Sequence, residues 1–260
     1  MLHYEISGNG KKPLVLLHGF MEDHTIWSDM ESHFSKEFTL IKIDLSGHGK
    51  SENNNAVNSM DFMAEKVKEV IEKLNLNKIN ILGHSMGGYV SLAFAEKFPE
   101  FLESLTLFFS TTLADDEEKK QIRRRSIAVI DENFETFVNT SIPNLFSNNE
   151  KDILEGKIEL AKKIAKSTNK EGVKAAQLGM AERPDRTEIL EKLEAKILII
   201  AGKYDNAVKT ENLLKALPDK TNIKTYVLDC GHCGHWEKPT ICAEIINTEL
   251  LHNLPKKLVF

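Results

Sequence analysis

The stretch Ile79-Asn80-Ile81-Leu82-Gly83-His84-Ser85-Met86-Gly87-Gly88 limits the possible folds more sharply than any other part of the chain. A short apolar run of the kind that forms a buried strand stops at a serine. Helix formers then follow from Met86 to Phe98, where Pro99 ends them. A strand that turns into a helix at a single residue forces that residue into a strained backbone, which only small neighbours on either side permit. Gly83 and Gly87 are those neighbours, so the sequence predicts a strand, Ser85 at the turn, and a helix. The helix brings its positive end and the free Met86 N–H next to the serine, an arrangement suited to a developing oxyanion.

Apolar runs alternate with amphipathic ones on both sides of this unit. Tyr4 to Ser7, Leu14 to Leu17, Phe38 to Ile43, Leu102 to Phe109, Ala195 to Ala201 and Ile223 to Leu228 read as strands. Between them, Trp27 to Phe34, Met60 to Leu74 and Thr210 to Leu217 read as helices, and a last helix opens near Lys238-Pro239. Strands alternating with helices predict an α/β fold with a mostly parallel central sheet flanked by helices. The alternation stops between Thr111 and Arg186, where four amphipathic helices are expected: Asp115 to Ile130, Phe134 to Leu145, Asp152 to Ala165 and Glu171 to Ala181. Residues 1–110 and 187–260 therefore form a core domain, and 111–186 a helical cap inserted on the side where strands end. Phe134, Phe137, Val138, Leu145, Phe146, Leu178 and Met180 either line the inner face of that cap or pack its helices together.

Composition narrows the function classes. With 260 residues, 41% of them hydrophobic, the chain can bury one substantial core. A net charge of −5 gives no electrostatic footprint for nucleic acid. The runs Asp115-Asp116-Glu117-Glu118 and Arg123-Arg124-Arg125 fall in one charged helical stretch and are expected to be a solvated face. No apolar run reaches the ~20 residues that cross a bilayer, and the N-terminus lacks the basic start and apolar core of a signal peptide. The expectation is a cytoplasmic protein with no membrane or nucleic-acid partner. Three cysteines, an odd number, build no disulfide framework. Cys230-Gly231-His232-Cys233 has the spacing of a redox pair and, with His235 and Glu237, some metal-site character. It does not open a helix early in a thioredoxin-like fold, nor does a second ligand pair accompany it, so no metal and no cofactor are expected.

A serine hydroxyl is a poor nucleophile at neutral pH and needs a base within hydrogen-bond reach, itself held by a third group. Ser85, Asp205 and His232 come in the order serine, acid, histidine, each just beyond a strand, where a parallel sheet presents its carboxyl edge. His18-Gly19-Phe20 ends another strand and leaves the Phe20 N–H at the same edge.

These patches resemble the α/β-hydrolase superfamily, in particular its cap-bearing single-domain serine hydrolases. His18-Gly19-Phe20 is similar to its oxyanion loop, Gly83-His84-Ser85-Met86-Gly87-Gly88 to its nucleophile elbow, and Asp44 to Ser51 to its D-x-x-G-x-G-x-S turn. Gly231 to Pro239 matches its G-H-x-x-H-x-E-x-P pattern, which puts the base at His232 and not at His235. The resemblance implies Ser85 as nucleophile, His232 as base, Asp205 as acid, and an oxyanion hole made by the N–H groups of Phe20 and Met86. It implies a small-molecule ester as substrate. Two other functions share these residues: hydrolysis of a carbon–carbon bond in a diketone-like substrate, and a hydrolase-derived ligand receptor or regulator that turns over poorly. Substrate identity and oligomeric state are not encoded in the triad.

Overall fold

The computed structural model describes residues 1–149 and 151–251. Its elements follow in the order β1 (Tyr4–Ser7), β2 (Lys12–Leu17), a 3₁₀ turn over His24–Trp27, α1 (Ser28–Glu31), β3 (Phe38–Ile43), α2 (Met60–Lys73), β4 (Ile79–His84), α3 (Met86–Lys97) and β5 (Leu102–Phe108). Then come α4 (Glu117–Ser141), α5 (Glu155–Ser167), α6 (Lys170–Glu182), α7 (Thr187–Lys192), β6 (Lys196–Gly202), α8 (Thr210–Ala216), β7 (Ile223–Leu228), α9 (Gly234–Glu237) and α10 (Pro239–Leu251).

The strands form one seven-stranded sheet in the order β1-β3-β2-β4-β5-β6-β7, parallel throughout except for β1, which pairs antiparallel with β3. Successive side chains alternate between its faces. Val15, Leu17, Ile81, Leu105, Leu107, Ile197 and Ile199 pack on the side covered by α2 and α3. Leu14, Leu16, Leu82, Phe108, Leu198 and Ile200 pack on the other side, with α10 and the helices that follow β5. Burial on both faces is why these strands read as continuous apolar runs.

The chain leaves β2 for β3 on one side and returns to β4 on the other, with Leu17 opposite Gly83 across the β2–β4 pair. The strand order therefore reverses at β2, and the crevice outside the carboxyl ends of β2 and β4 is where a doubly wound sheet binds ligands. Both His18-Gly19-Phe20 and Ser85 emerge there.

Helices α4 to α6 are the insertion between β5 and β6. The expected break near Asp131 to Asn133 is a kink inside α4: Asn133 leaves helical geometry (φ −153, ψ 86), and its Oδ1 accepts the Thr136 N–H and so starts the second half. The helix expected over Trp27 to Phe34 is instead a 3₁₀ turn joined to the single turn α1. Two short helices, α7 and α9, lie in stretches where no helix was expected. Among the described residues no helix is long and apolar enough to cross a membrane.

The expectation of a solvated charged face on α4 fails at two residues. Asp115 is buried and accepts hydrogen bonds from both Arg183 and Arg123, while Arg123 also donates to Gln177 Oε1 at 3.0 Å. A carboxylate shared by two guanidinium groups can be taken out of water, which an isolated one cannot. Asp116, Glu117, Glu118, Arg124 and Arg125 are exposed as expected.

Candidate active site

Between Ile79 and Ala95 every residue is buried except Ser85. Its backbone sits at φ 50, ψ −113, in a region non-glycine residues avoid. Such strain persists only where the surroundings impose it. A Cβ on Gly83 would lie 2.2 Å from the Gly87 carbonyl oxygen, and one on Gly87 2.4 Å from that of Leu17, so the turn closes only with glycine at both places. Ser85 N–H donates to Phe108 O across to β5, and Ser85 O accepts from Gly88 N–H at the first turn of α3. Met86, next in the chain, opens that helix, so its N–H has no intrahelical acceptor.

The other residues singled out in the sequence converge on the same crevice. His232 Nδ1 lies 2.7 Å from Asp205 Oδ2, with both side chains buried. The second oxygen of Asp205 accepts the N–H groups of Ala207 and Val208 at 2.8 Å each, so the carboxylate is fixed in rotation as well as in place. His232 is anchored through its main chain, donating its N–H to Leu145 O at 2.7 Å. Ser85, His232 and Phe20 line one cavity of about 580 Å³. Ser85 and His232 share its wall without a hydrogen bond between them. Phe137, Leu145 and Met180 reach the cavity from the insertion, whereas Val138 and Phe146 pack in the core and Phe134 packs against it.

Asp44 to Ser51 is a scaffold for the β3 turn. Asp44 is fully buried and accepts from His24 N–H, Lys50 N–H and the rings of His3 and His24. Burial raises its carboxyl pKa, and neighbouring His18 together with those donors brings it below the ordinary value. Glu237 plays a similar part in the last loop: it takes the N–H groups of Gly231, Cys233 and Ser147. Cys230, Cys233 and Cys242 are buried, and burial pushes each thiol pKa well up.

The fold agrees with what sequence comparison finds: the profile of the alpha/beta hydrolase fold matches residues 12–239. The chain belongs to the alpha/beta hydrolase fold family. A 2-hydroxy-6-oxononadienedioate/2-hydroxy-6-oxononatrienedioate hydrolase of Escherichia coli strain K12 is similar to this alpha/beta hydrolase, 27% identical over 249 residues that cover 91% of this chain and 86% of the relative. A thermophilic esterase from Thermogutta terrifontis superposes with a TM-score of 0.89 at 33% identity, covering 96% of this chain and 93% of that one. The enol-lactonase of Burkholderia xenovorans LB400 shares the fold with a TM-score of 0.87 at 20% identity, covering 96% of both chains. Family and relatives together make the chain a hydrolase.

Sequence reasoning missed a second set of polar residues in this alpha/beta hydrolase. Glu22 and His84 lie on the cavity wall, as do Asp115, Arg123, Gln177 and Arg183 from the insertion. No local pattern marks them, because their partners are distant in the chain: 62 residues separate Glu22 from His84, and 68 separate Asp115 from Arg183. Glu22, His84 and His235 also bring three potential metal-ligating atoms within 4.8 Å of one another, as do His3, His24 and Asp44. In the latter group both Asp44 oxygens are already taken by the donors named above.

Proposed function

We propose that the protein is a serine hydrolase of small carboxylic esters, acting through an acyl-enzyme on Ser85. One observation carries the reading: a serine strained at φ 50 opens on the same cavity as an imidazole whose far nitrogen is bonded to a buried carboxylate at 2.7 Å. In this reading Ser85 Oγ attacks the ester carbonyl while His232 Nε2 takes the hydroxyl proton. Asp205 holds the tautomer and stabilises the imidazolium. The carbonyl oxygen, now anionic, accepts from the N–H groups of Phe20 and Met86. Collapse expels the alcohol, which leaves with the proton from His232. A water activated by His232 then releases the acid and restores Ser85. Residues 111–186 serve as the cap that closes over the substrate, and a cavity of about 580 Å³ suits a small organic ester.

The esterase from Thermogutta terrifontis, at 33% identity, supports ester chemistry. The Escherichia coli relative supports a second reading, hydrolysis of a carbon–carbon bond beside a ketone with the same serine and base. Labelling with an alkyl fluorophosphonate followed by mass spectrometry of the digest tests the shared part, and the expected label sits on Ser85 alone. Label elsewhere, or none, removes the nucleophile assignment. Turnover of short-acyl p-nitrophenyl esters against a 2-hydroxy-6-oxo-dienoate then separates the two readings, and turnover of neither points to a ligand receptor.

A further inference from the structure

One buried acid joins the three loops that meet at Ser85. Met21 turns the chain back at φ 58, and Glu22 Oε2 accepts the Gly19 N–H at 2.6 Å. The same oxygen lies 2.8 Å from His84 Nδ1, and His84 Nε2 lies 3.0 Å from the carbonyl oxygen of His232. Both partners of the His84 ring are therefore acceptors, a carboxylate on one side and a peptide carbonyl on the other. A neutral imidazole has one N–H and could satisfy only one of them. With both bonds made, His84 carries two ring protons and a positive charge, paired with the carboxylate of Glu22. The two side chains are 1% and 9% exposed. A Cβ on Gly19 would lie 2.7 Å from Glu22 Oε2 and 2.8 Å from His84 Nδ1, so the glycine before Phe20 is the space this pair occupies.

We propose that the Glu22–His84 ion pair is the positioning device of the site: it ties the loop that carries Phe20, the strand end that carries Ser85 and the main chain of His232 into one arrangement, and does so only while His84 is an imidazolium. This rests on the serine-hydrolase reading. Neither residue exchanges a proton with substrate. Their effect is on where the Phe20 N–H, Ser85 Oγ and the His232 ring lie relative to one another, and misplacement by about 1 Å at such a site costs on the order of 10²-fold in rate.

The groups facing the His84 ring are Glu22 from the loop after β2, Asp205 from the loop after β6, and the imidazoles of His232 and His235, with Phe108 and Phe109 closing the apolar side. Burial disfavours both charges of the pair, and their mutual attraction reverses that. Glu22 is held down at about 2 by His84 and the Gly19 N–H, and the His84 pKa is raised by Glu22 and the His232 carbonyl. His235 is buried, and burial together with the charge on His84 holds its pKa far down, so it stays neutral beside the pair. The pair is thus intact above the lowered value of Glu22 and is lost on the alkaline side, as pH rises through the elevated value of His84. Deprotonation there breaks the bond either to Glu22 or to His232.

The experiment is a comparison of wild type with Glu22→Gln and Glu22→Asp, reading kcat and KM for p-nitrophenyl acetate and the rate of fluorophosphonate labelling across pH. Glu22→Gln removes the charge and keeps the shape, so kcat and labelling rate should fall by about 10–10²-fold with KM unchanged. The alkaline limb of kcat should move to lower pH, a change that a purely structural contribution does not produce. Glu22→Asp, which keeps the charge, should return that limb toward its wild-type position. Nitrogen NMR of the wild type, which needs no variant to fold, should show both His84 ring nitrogens protonated at neutral pH. Wild-type kcat and pH profile in Glu22→Gln, or a neutral His84 ring at neutral pH, would overturn the proposal. So would a stoichiometric divalent metal held by Glu22, His84 and His235, since it would replace the His84 proton. A wild type that takes no label on Ser85 refutes the serine-hydrolase reading itself, whereas a labelled wild type matched by Glu22→Gln refutes only the role of the pair.

Discussion

Replacing Asp205 by asparagine changes one atom and should nearly abolish turnover, for a reason visible in the surroundings of that carboxyl. Oδ1 accepts two main-chain N–H groups, from Ala207 and Val208 at 2.8 Å each, while Oδ2 faces His232 Nδ1 at 2.7 Å. An asparagine keeps its oxygen on the two N–H donors and turns its NH₂ toward the ring. Nδ1 must then accept, so the ring proton moves to Nε2, the nitrogen that takes the serine proton in the proposed mechanism. Flipping the amide restores the productive tautomer but leaves two N–H groups without an acceptor, at about 1–3 kcal/mol each. Together with the lost stabilisation of the imidazolium, the expected fall in kcat is ~10⁴, which is about 5 kcal/mol of barrier. KM should stay near its wild-type value, because Asp205 does not line the cavity. Steady-state kinetics with p-nitrophenyl acetate, with circular dichroism to confirm folding, measures both. A variant within tenfold of wild-type kcat would refute the argument and move the acid to Asp229, the next carboxylate beyond a strand end in that region.

His235→Phe should keep kcat/KM within about tenfold of wild type and hold or raise stability in urea, because both ring nitrogens of His235 are buried without a hydrogen-bond partner and phenylalanine leaves nothing unpaired. His232→Ala should be nearly inactive in the same assay, and the reverse outcome would exchange the two histidines. Asp115→Ala leaves the buried Arg183 and the partly buried Arg123 without their shared carboxylate and should cost about 3–5 kcal/mol at neutral pH by chemical denaturation. Burial raises the Asp115 pKa, but Arg183 and Arg123 bring it down from 3.8 to about 2, so its stabilisation is full above the unfolded value and fades as pH falls toward the folded one. The gap between variant and wild type should close over that interval. Cys230, Cys233 and Cys242 should resist iodoacetamide until the protein unfolds, since burial keeps each thiol protonated. Rapid alkylation in the native state would contradict this.

How much was legible before the structure depended on the range of the interaction. Ile197 to Ala201 announces itself because a parallel strand buried on both faces must be apolar at every position. The Ser85 turn is equally local, since its steric demand falls on Gly83 and Gly87. Asp205 and His232 could be named from where each strand ends, because a parallel sheet delivers those ends to one edge. Asp115 was misread as solvent-facing, because its charge is compensated by Arg183 from the far end of the insertion. Glu22 carries no signature either: an acid in a loop looks exposed until the fold shows a histidine from β4 lying over it. The turn α9 escaped because a single turn of helix shows no periodicity.

The β5–β6 insertion also has a bearing on how such a protein changes its chemistry. Ser85, Asp205 and His232 follow β4, β6 and β7, so the insertion, leaving after β5, could be exchanged as a cassette without cutting any loop that carries them. It is not a free cassette. Its middle is latched to the last loop by Leu145 O on the His232 N–H, by the Ser147 N–H on Glu237, and by Phe146 stacked on Trp236 with ring centroids 5.9 Å apart. A graft of foreign helices between residues 113 and 140 would preserve that latch and inherit a His232 already held in place. A graft extending through 147 would have to rebuild the support of His232 along with the new pocket.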